Sequence, residues 1–478
     1  MAARANPLRR QLRDFVLVWT GITLMMAGCT FFAIYLAYGG LIETTTDSLT
    51  RNLPNTPAET SVAQVAAQTT PVSTRQLAPT NTLPPAATPT PTVPDATATE
   101  AQPPTATPTL LPVDDSSFQV GIQVQYSLDF NPDNQRGWMN DVYSNLGLRW
   151  FKQQVRWEEF EPERGQYNWA VLDLVLPVAA EFPGLRVMLS IVTAPNWARE
   201  AGADVSRHGP PANNQDYVNF VTALIARYPG MVHGIEVWNE QNIDREWTST
   251  RGLSASNYIG LLRDTYQAVK NVDPGIIVVS GALSPTGLSD GVRAWDDFVY
   301  MDQMIAAGLL NYSDCIGVHH NGYNIGPDIT WDAVPNDPTA QFRGPFDNPH
   351  HSWSFRSTLE TYARKVRNAG GDQGLCITEF GWAVSAGIEG FNTPGFEFAN
   401  DNTPEEQAQY FTQALDLMRD WGFVWLAFVW NLNYGPQAGW AADNDNVPYS
   451  IIGPNWQHRP AYGAIRDWQR AYMTSIGR

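Results

Sequence analysis

From Phe118 onward, short apolar runs alternate with amphipathic segments, a pattern typical of strands and helices in turn. Several of the apolar runs are hydrophobic almost throughout, as strands covered on both faces should be. Eight runs are predicted as strands: 118–126, 148–155, 185–192, 234–239, 276–281, 314–320, 375–380 and 424–431. Between them apolar residues recur at helical spacing, most clearly in 215–228.

The alternation of strands and helices predicts the architecture of the domain. The segment Thr403-Pro404-Glu405-Glu406 has the pattern of a capping box with proline at the first helical position, and it predicts a helix running to about Trp421. Eight such strand and helix units in 118–478 predict a (β/α)8, or TIM, barrel in the α/β class. A doubly wound open sheet is the alternative, but no glycine-rich phosphate loop follows the first strand.

The N-terminal part of the chain has a different pattern. Residues 1–14 are basic, and residues 15–38 contain no charged side chain. A run of this length can span the ~30 Å hydrocarbon core of a membrane, and the basic flank should remain in the cytoplasm. We therefore predict a single uncleaved transmembrane anchor with the rest of the chain outside. A cleaved signal peptide, the alternative, usually has a shorter apolar core.

Residues 39–117 are dominated by threonine, proline, alanine and glutamine and show no apolar periodicity. Repeated proline blocks both helix and sheet, so this segment is predicted to be a disordered linker between anchor and barrel.

Composition limits the partners of the protein. The net charge of −18 argues against nucleic acid or anionic lipid as the main partner, because both need a basic surface. Neutral polymers such as polysaccharides remain compatible with this charge, and a monomer is expected.

Cys29 lies in the predicted anchor, while Cys315 and Cys376 each lie early in a predicted strand. Because disulfide geometry is specific, two buried free thiols are expected rather than a bridge.

Two predicted strands end in a carboxylate. The fourth ends in Asn239-Glu240 and the seventh in Thr378-Glu379, although a buried carboxylate is costly unless it is paired or used. In a (β/α)8 barrel the C-terminal strand ends hold the active site, and these two ends lie across its mouth. Glycoside hydrolysis needs such a pair of carboxyl groups. The alternative is that each glutamate is a salt-bridge partner at the barrel rim.

These segments resemble a known clan of enzymes. Trp238-Asn239-Glu240 after an apolar strand, with Thr378-Glu379-Phe380-Gly381-Trp382 downstream, is similar to the retaining glycoside hydrolases whose catalytic glutamates follow strands four and seven. The segment 155–169 resembles that clan's stretch after strand two, and 193–198, which includes Trp197, resembles its stretch after strand three. The resemblance covers roughly 118–475 and is closest to families 39 and 5.

The resemblance implies roles for individual residues. Glu240 would be the general acid/base and Glu379 the nucleophile, and no cofactor would be needed. Asn239 would bind the 2-hydroxyl of the sugar at the cleavage point, which fits a contact that tightens in the transition state. Trp430 would lie under that sugar, or would simply pack the barrel mouth. Trp197 would belong to the same substrate-binding surface.

The clan also has a histidine and a tyrosine after strand six and a cation on strand two. His320 is favoured over its neighbour to face the mouth, and Tyr323 is the candidate tyrosine. Lys152 and Arg156 both remain candidates for the cation. No cysteine or carboxylate stands at metal-ligand spacing near these histidines, so no metal site is predicted there.

The sequence thus predicts a membrane-anchored, extracellular retaining β-glycosidase that hydrolyses poly- or oligosaccharides. The charge of Glu379 is expected to raise the pKa of Glu240, so that Glu240 keeps its proton. Two alternatives remain: a surface barrel that binds glycan without cutting it, and a transglycosylase that uses the same residues.

Overall fold

The computed structural model describes residues 117–126 and 130–478. The basic segment and anchor predicted for 1–14 and 15–38, and the predicted linker up to residue 116, lie outside these ranges. Within them, no helix combines the length and apolar character that crossing a membrane requires.

Eight strands form one parallel sheet in the order β5-β4-β3-β2-β1-β8-β7-β6. The strands are β1 (Gln119–Gln123), β2 (Trp150–Arg156), β3 (Arg186–Val192), β4 (Gly234–Val237), β5 (Ile277–Ser280), β6 (Ile316–Gly322), β7 (Leu375–Trp382) and β8 (Val424–Val429). A parallel bridge between Val279 and Cys315 joins β5 to the start of β6. The sheet therefore closes, which confirms the predicted barrel over the open sheet.

Eight longer helices alternate with the strands in the described part of the chain. They are α1 (Pro132–Asn140), α2 (Ala170–Ala180), α3 (Asn214–Arg227), α4 (Ala255–Val272), α5 (Asp297–Ala306), α6 (Phe355–Asn368), α7 (Pro404–Trp421) and α8 (Pro460–Ser475). Three single-turn α-helices lie in the loops: Trp157–Phe160, Gly344–Asp347 and Tyr434–Gln437. The predicted capping box opens α7, because the Thr403 side chain accepts from the Glu406 N–H and the Glu406 side chain accepts from the Thr403 N–H.

The interior of the barrel changes from apolar to charged along the strands. In one layer, Trp150, Met188 and Phe428 pack together inside the sheet. Alternate residues of a strand share a face, so Lys152 follows Trp150 into the interior one layer higher. There it meets Glu236 of β4, and both side chains are fully buried. This charged layer lies beneath the strand ends that carry the predicted site.

Cys315 and Cys376 form a disulfide, so the prediction of two free thiols is wrong. Cys315 precedes β6, Cys376 is the second residue of β7, and these two strands are neighbours in the sheet. Their Cα atoms are 5.8 Å apart, within the usual range for a bridge. Strand pairing therefore supplies a geometry that the sequence argument treated as improbable.

Candidate active site

A strained turn after β4 carries the first predicted glutamate. Trp238 and Glu240 adopt positive φ values of 77° and 47°, which are uncommon for residues other than glycine. Such conformations persist only where the surroundings hold them, and they cluster at functional sites. Here the Glu240 N–H donates to Ala282 O at 2.8 Å, and the Trp238 indole N–H donates to Glu246 O at 3.1 Å. These bonds fix the turn that carries Asn239 and Glu240.

Glu379, near the end of β7, has contacts from three neighbouring side chains. Its Oε1 lies 3.5 Å from Lys152 Nζ and 3.6 Å from His319 Nε2, and Asn321 Nδ2 donates to its Oε2 at 3.4 Å. The register of β6 against β7 shifts between Val318 and His319, and His319 then pairs with Glu379. Both cationic groups that neighbour Glu379 thus come from other strands of the barrel.

One imidazole ring joins the two predicted catalytic glutamates. His319 Nδ1 is 3.2 Å from Glu240 Oε1, while its Nε2 faces Glu379 Oε1 at 3.6 Å. Because a single ring with its two nitrogens spans the gap, the two Oε1 atoms are at most about 9 Å apart. Retaining glycosidases place their carboxyl groups about 5–5.5 Å apart, and inverting glycosidases place them about 6.5–9.5 Å apart. The upper limit of about 9 Å is therefore compatible with either mechanism.

The histidine between the glutamates is His319, whereas the sequence favoured His320. The register shift in β6 turns His319 toward the mouth, and His320 faces the surrounding helices. His320 Nε2 lies 3.1 Å from Ser352 O, and the ring packs edge-on against Phe355. Burial lowers the pKa of His320 to about 4. His320 is therefore a neutral structural residue.

Lys152, not Arg156, is the strand-two cation at Glu379. Its Nζ is 3.0 Å from Glu236 Oε2 and donates to Thr378 O at 3.1 Å. Arg156 instead pairs with Glu158 at 2.5 Å and lies 3.0 Å from His208 Nε2. Of the two cations that the sequence left open, Lys152 is therefore the one that contacts Glu379.

Glu236 is a part of this cluster that the sequence argument missed. Burial raises its pKa, but Lys152 and His319 outweigh that effect, so the pKa lies below its ordinary value. The signal was present in the sequence, since a glutamate stands between Ile235 and Val237 inside an otherwise apolar strand. An ionised side chain at such a position needs a buried partner.

The pKa of Glu240 departs from the expectation. Burial raises it, but the hydrogen bond and charge of His319 and the charge of Arg245 outweigh burial and bring it to about 2. Arg245 Nη2 lies 3.3 Å from Glu240 Oε2. The predicted increase in the pKa of Glu240 is therefore wrong for this structure, because two cationic side chains contact that carboxylate.

The neighbouring groups have their pKa values raised. Burial raises the pKa of Glu379, and His319 and Lys152 offset this only in part. Burial lowers the pKa of His319, but the two glutamates that face the ring outweigh it, so the pKa is raised. His319 therefore tends to carry a proton between two carboxylates.

Two predicted sugar-binding residues lie at the barrel mouth. Asn239 is 8% exposed, and its Oδ1 is buried without a hydrogen-bond partner in the protein. Trp430 directly follows β8, and its ring meets Tyr434 edge-on at 5.1 Å between centroids. Trp430 also belongs to an aromatic cluster with Phe398 and Tyr449, so packing is one part of its role.

Tyr323 and Trp197 contact other parts of the structure. Tyr323 packs in the same aromatic cluster, against Phe342 and Trp353. The side chain that donates a hydrogen bond to Glu379 is Asn321 and not Tyr323. The Trp197 indole N–H donates to Glu161 O at 2.9 Å. Trp197 thus joins the loops after β2 and β3, and none of these contacts involves the glutamate pair.

Comparison with known proteins gives similarity at the level of structure. No family model matches the sequence, and no curated protein is significantly similar to it. A family 39 glycoside hydrolase from the gut symbiont Bacteroides cellulosilyticus WH2 superimposes with a TM-score of 0.52 at 17% identity, covering 75% of this chain and 64% of that one. This chain therefore spans less than two thirds of that neighbour.

Two further neighbours belong to other families. Xylanase 10B from Thermotoga maritima gives a TM-score of 0.50 at 14% identity, covering 76% of this chain and 98% of that one. A GH5_18 protein from Streptomyces cattleya, solved with GlcNAc, gives 0.51 at 16% identity, covering 75% and 81%. The chain has the fold of these glycoside hydrolases. At such identities the likeness concerns the fold alone.

Proposed function

We propose that this protein is a retaining β-glycosidase that hydrolyses O-glycosidic bonds of poly- or oligosaccharides. The observation that carries the proposal is the pair Glu240 and Glu379, held at the mouth of the barrel on either side of His319. The glycoside hydrolases among the structural neighbours support it by fold.

In the proposed reaction Glu379 attacks the anomeric carbon and forms a glycosyl ester, while Glu240 protonates the departing glycosidic oxygen. Water then attacks the same carbon, Glu240 takes its proton, and the ester bond to Glu379 breaks. Both glutamates return to their first state, so the bond is hydrolysed with retention at the anomeric carbon. Lys152 and Asn321 favour the ionised Glu379 that the first step needs.

His319 can supply the proton that Glu240 needs. The ring faces Glu240 with Nδ1 and Glu379 with Nε2. Transfer of the Nδ1 proton to Glu240 leaves a neutral imidazole that keeps its Nε2 proton toward the ionised Glu379. The pair His319 and Glu240 then holds one proton in common, which reconciles the low pKa of Glu240 with its role as acid.

The proposed substrate contacts follow from unused groups at the mouth. The buried Oδ1 of Asn239 can accept from a sugar hydroxyl, and a buried polar atom without a partner is costly unless a ligand supplies one. The ring of Trp430 offers an apolar face beneath the same sugar.

We also propose that the barrel acts outside the cytoplasm, anchored through 15–38. The bridge between Cys315 and Cys376 supports this placement, since disulfides persist mainly in oxidising compartments. The test is protease treatment of intact cells, followed by detection of the barrel. Complete protection of the barrel both in intact cells and in spheroplasts, with digestion only after lysis, would refute the location outside the cytoplasm.

Hydrolysis is tested by assaying the full-length protein on aryl-glycosides and a panel of polysaccharides. Glu240→Ala should lower the rate by about 10²–10⁴, the usual contribution of a positioned acid or base, and Glu379→Ala, which removes the proposed nucleophile, should lower it at least as much. Glu389→Ala is the matched control, because Glu389 is an exposed glutamate of a loop. Activity that survives Glu379→Ala would remove the proposed nucleophile. Glycan binding without turnover in the wild type would favour a binding barrel instead.

A further inference from the structure

Gln123, the last residue of β1, places a polar side chain inside the barrel at the level of the charged layer. Gly121, two residues earlier, lies against Trp150 in the interior, and alternate residues of a strand share a face. In the pairing of β1 with β2, Gln123 is in register with Lys152. Gln123 therefore faces the interior beside the lysine that contacts Glu379, and it is only 1% exposed.

The amide of Gln123 has one partner and one unused atom. Its Nε2 donates to the Tyr434 hydroxyl oxygen at 2.8 Å. Its Oε1 is buried, and no group in the described part of the chain donates to it. A buried amide oxygen without a donor is costly, and a ligand that brings a hydroxyl proton would remove that cost.

Tyr434 makes this a pair of complementary groups. Because its hydroxyl oxygen accepts from Gln123, its own proton can be donated to a ligand. Burial raises the pKa of this hydroxyl, and the nearby charge of Glu379 adds to that increase, so the group stays protonated. The ring meets Trp430 edge-on at the proposed sugar site. One acceptor and one donor thus lie side by side near the proposed nucleophile.

Hydrogen bonds hold Tyr434 in this position. Asn431 Oδ1 accepts from the Tyr434 main-chain N–H at 3.0 Å. The side chain of Asn433 exchanges two hydrogen bonds with the main chain of Gln125, at 2.8 and 3.0 Å. These two bonds tie the loop after β8 to the chain just beyond β1. The pair is therefore preorganised, and a ligand does not have to order it on binding.

We propose that Gln123 and Tyr434 form a subsite that selects the sugar at Glu379 by two neighbouring ring hydroxyls. One hydroxyl donates to Gln123 Oε1, and the other accepts from the Tyr434 O–H. In the closed sheet β8 lies opposite β4, so the pair addresses the side of the sugar remote from Asn239, namely the hydroxyls at C3 and C4. The inference rests on the proposed hydrolysis, and it assigns part of the specificity of that reaction to these two side chains.

The test compares the aryl β-glycoside that the wild type hydrolyses fastest with its 3-deoxy and 4-deoxy analogues. Wild type should prefer the parent over each analogue by about 10–100-fold in kcat/KM, because a missing hydroxyl leaves a buried polar group unpaired. Gln123→Leu should lose this factor on the parent, but not on the analogue that lacks the hydroxyl contacted by Gln123. Tyr434→Phe, which keeps the ring against Trp430, should show the same pattern with the other analogue.

Gln119→Leu is the matched control, since Gln119 bonds Ser117 at the other end of β1 and should not affect discrimination. Comparing variants on one substrate cancels the intrinsic reactivity of the deoxy sugars. Equal wild-type rates on the parent and both analogues would overturn the subsite and leave hydrolysis intact. An equal loss on all three substrates in Gln123→Leu and Tyr434→Phe would do the same, because it would indicate a structural role.

A binding measurement separates this inference from the proposed hydrolysis. If the wild type hydrolyses no glycoside, calorimetric titration with methyl β-glucoside, β-xyloside and β-mannoside replaces the rates. Binding that Gln123→Leu and Tyr434→Phe weaken, and Gln119→Leu does not, would support the subsite without the proposed reaction. Binding that none of the variants changes, or no binding at all, would overturn the subsite as well.

Discussion

Replacing Lys152 by methionine should destabilise the barrel more than the loss of any surface cation. Lys152 is fully buried and lies 3.0 Å from Glu236 and 3.5 Å from Glu379. Methionine has a similar length without the charge, so Lys152→Met leaves two carboxylates in the interior without their common cation. Breaking a buried ion pair by removing one partner costs about 3–5 kcal/mol, and that is the expected loss in the free energy of unfolding.

Two further variants separate the charge effect from packing. Lys365→Met is the control, because Lys365 pairs with the exposed Asp302, and pairs of that kind contribute about 0.2–1 kcal/mol. In the double variant Lys152→Met/Glu236→Gln one of the stranded charges is removed, so it should be more stable than Lys152→Met by at least about 1 kcal/mol. Urea denaturation of the full-length protein, followed by tryptophan fluorescence, measures all three differences.

The same substitution makes a prediction about activity. Lys152 is one of the groups that lower the pKa of Glu379, so its removal should raise that pKa further. A nucleophile works only when ionised, and activity is lost as pH falls through its pKa. The acidic limb of the pH profile should therefore move to higher pH. Equal stability of Lys152→Met and Lys365→Met, with an unchanged acidic limb, would refute the buried charge cluster.

Three other predictions follow from the site and the core. Removing the disulfide with the double variant Cys315→Ala/Cys376→Ala should lower the free energy of unfolding by about 2–4 kcal/mol. Urea denaturation of this variant and of the wild type with the disulfide intact measures the difference. The pKa of His320 is about 4 in the folded protein and about 6.5 when unfolded, so stability should fall as pH decreases through that window. His320→Gln should flatten this part of the curve of urea midpoint against pH, and an unchanged slope would contradict it. Arg245→Met should raise the pKa of Glu240 and move the basic limb of the activity profile to higher pH, whereas a shift to lower pH would exclude the ion pair as the cause.

The fold could be predicted because its signals are local and repeated. Each strand is a short apolar run, each helix shows its own periodicity, and the capping box at Thr403 marks where one helix begins. The two glutamates were found for a similar reason, since both stand at the carboxyl ends of predicted strands. Knowing the barrel then places those ends at one mouth.

Features that depend on pairing between strands were predicted less well. The choice between His319 and His320 depends on a register shift in β6, and one residue of slip reverses which side chain faces the barrel. The bridge from Cys315 to Cys376 depends on the adjacency of β6 and β7, which the barrel order already implied. Combining the predicted order with the positions of the cysteines would have favoured the bridge.

The charged layer inside the barrel links stability and proposed chemistry. Glu236, Glu240 and Glu379 bring three carboxylates into one low-dielectric region, and Lys152 and His319 bring the cations that balance them. Two of the carboxylates are assigned to the reaction, whereas Glu236 has no place in it. Glu236 instead orients Lys152 and offsets its charge, since a lone lysine there would bind Glu379 more strongly and weaken it as a nucleophile. Lys152 lowers the pKa of Glu379 while Glu236 raises it, so the third buried acid limits how strongly this cation favours the ionised form of the proposed nucleophile.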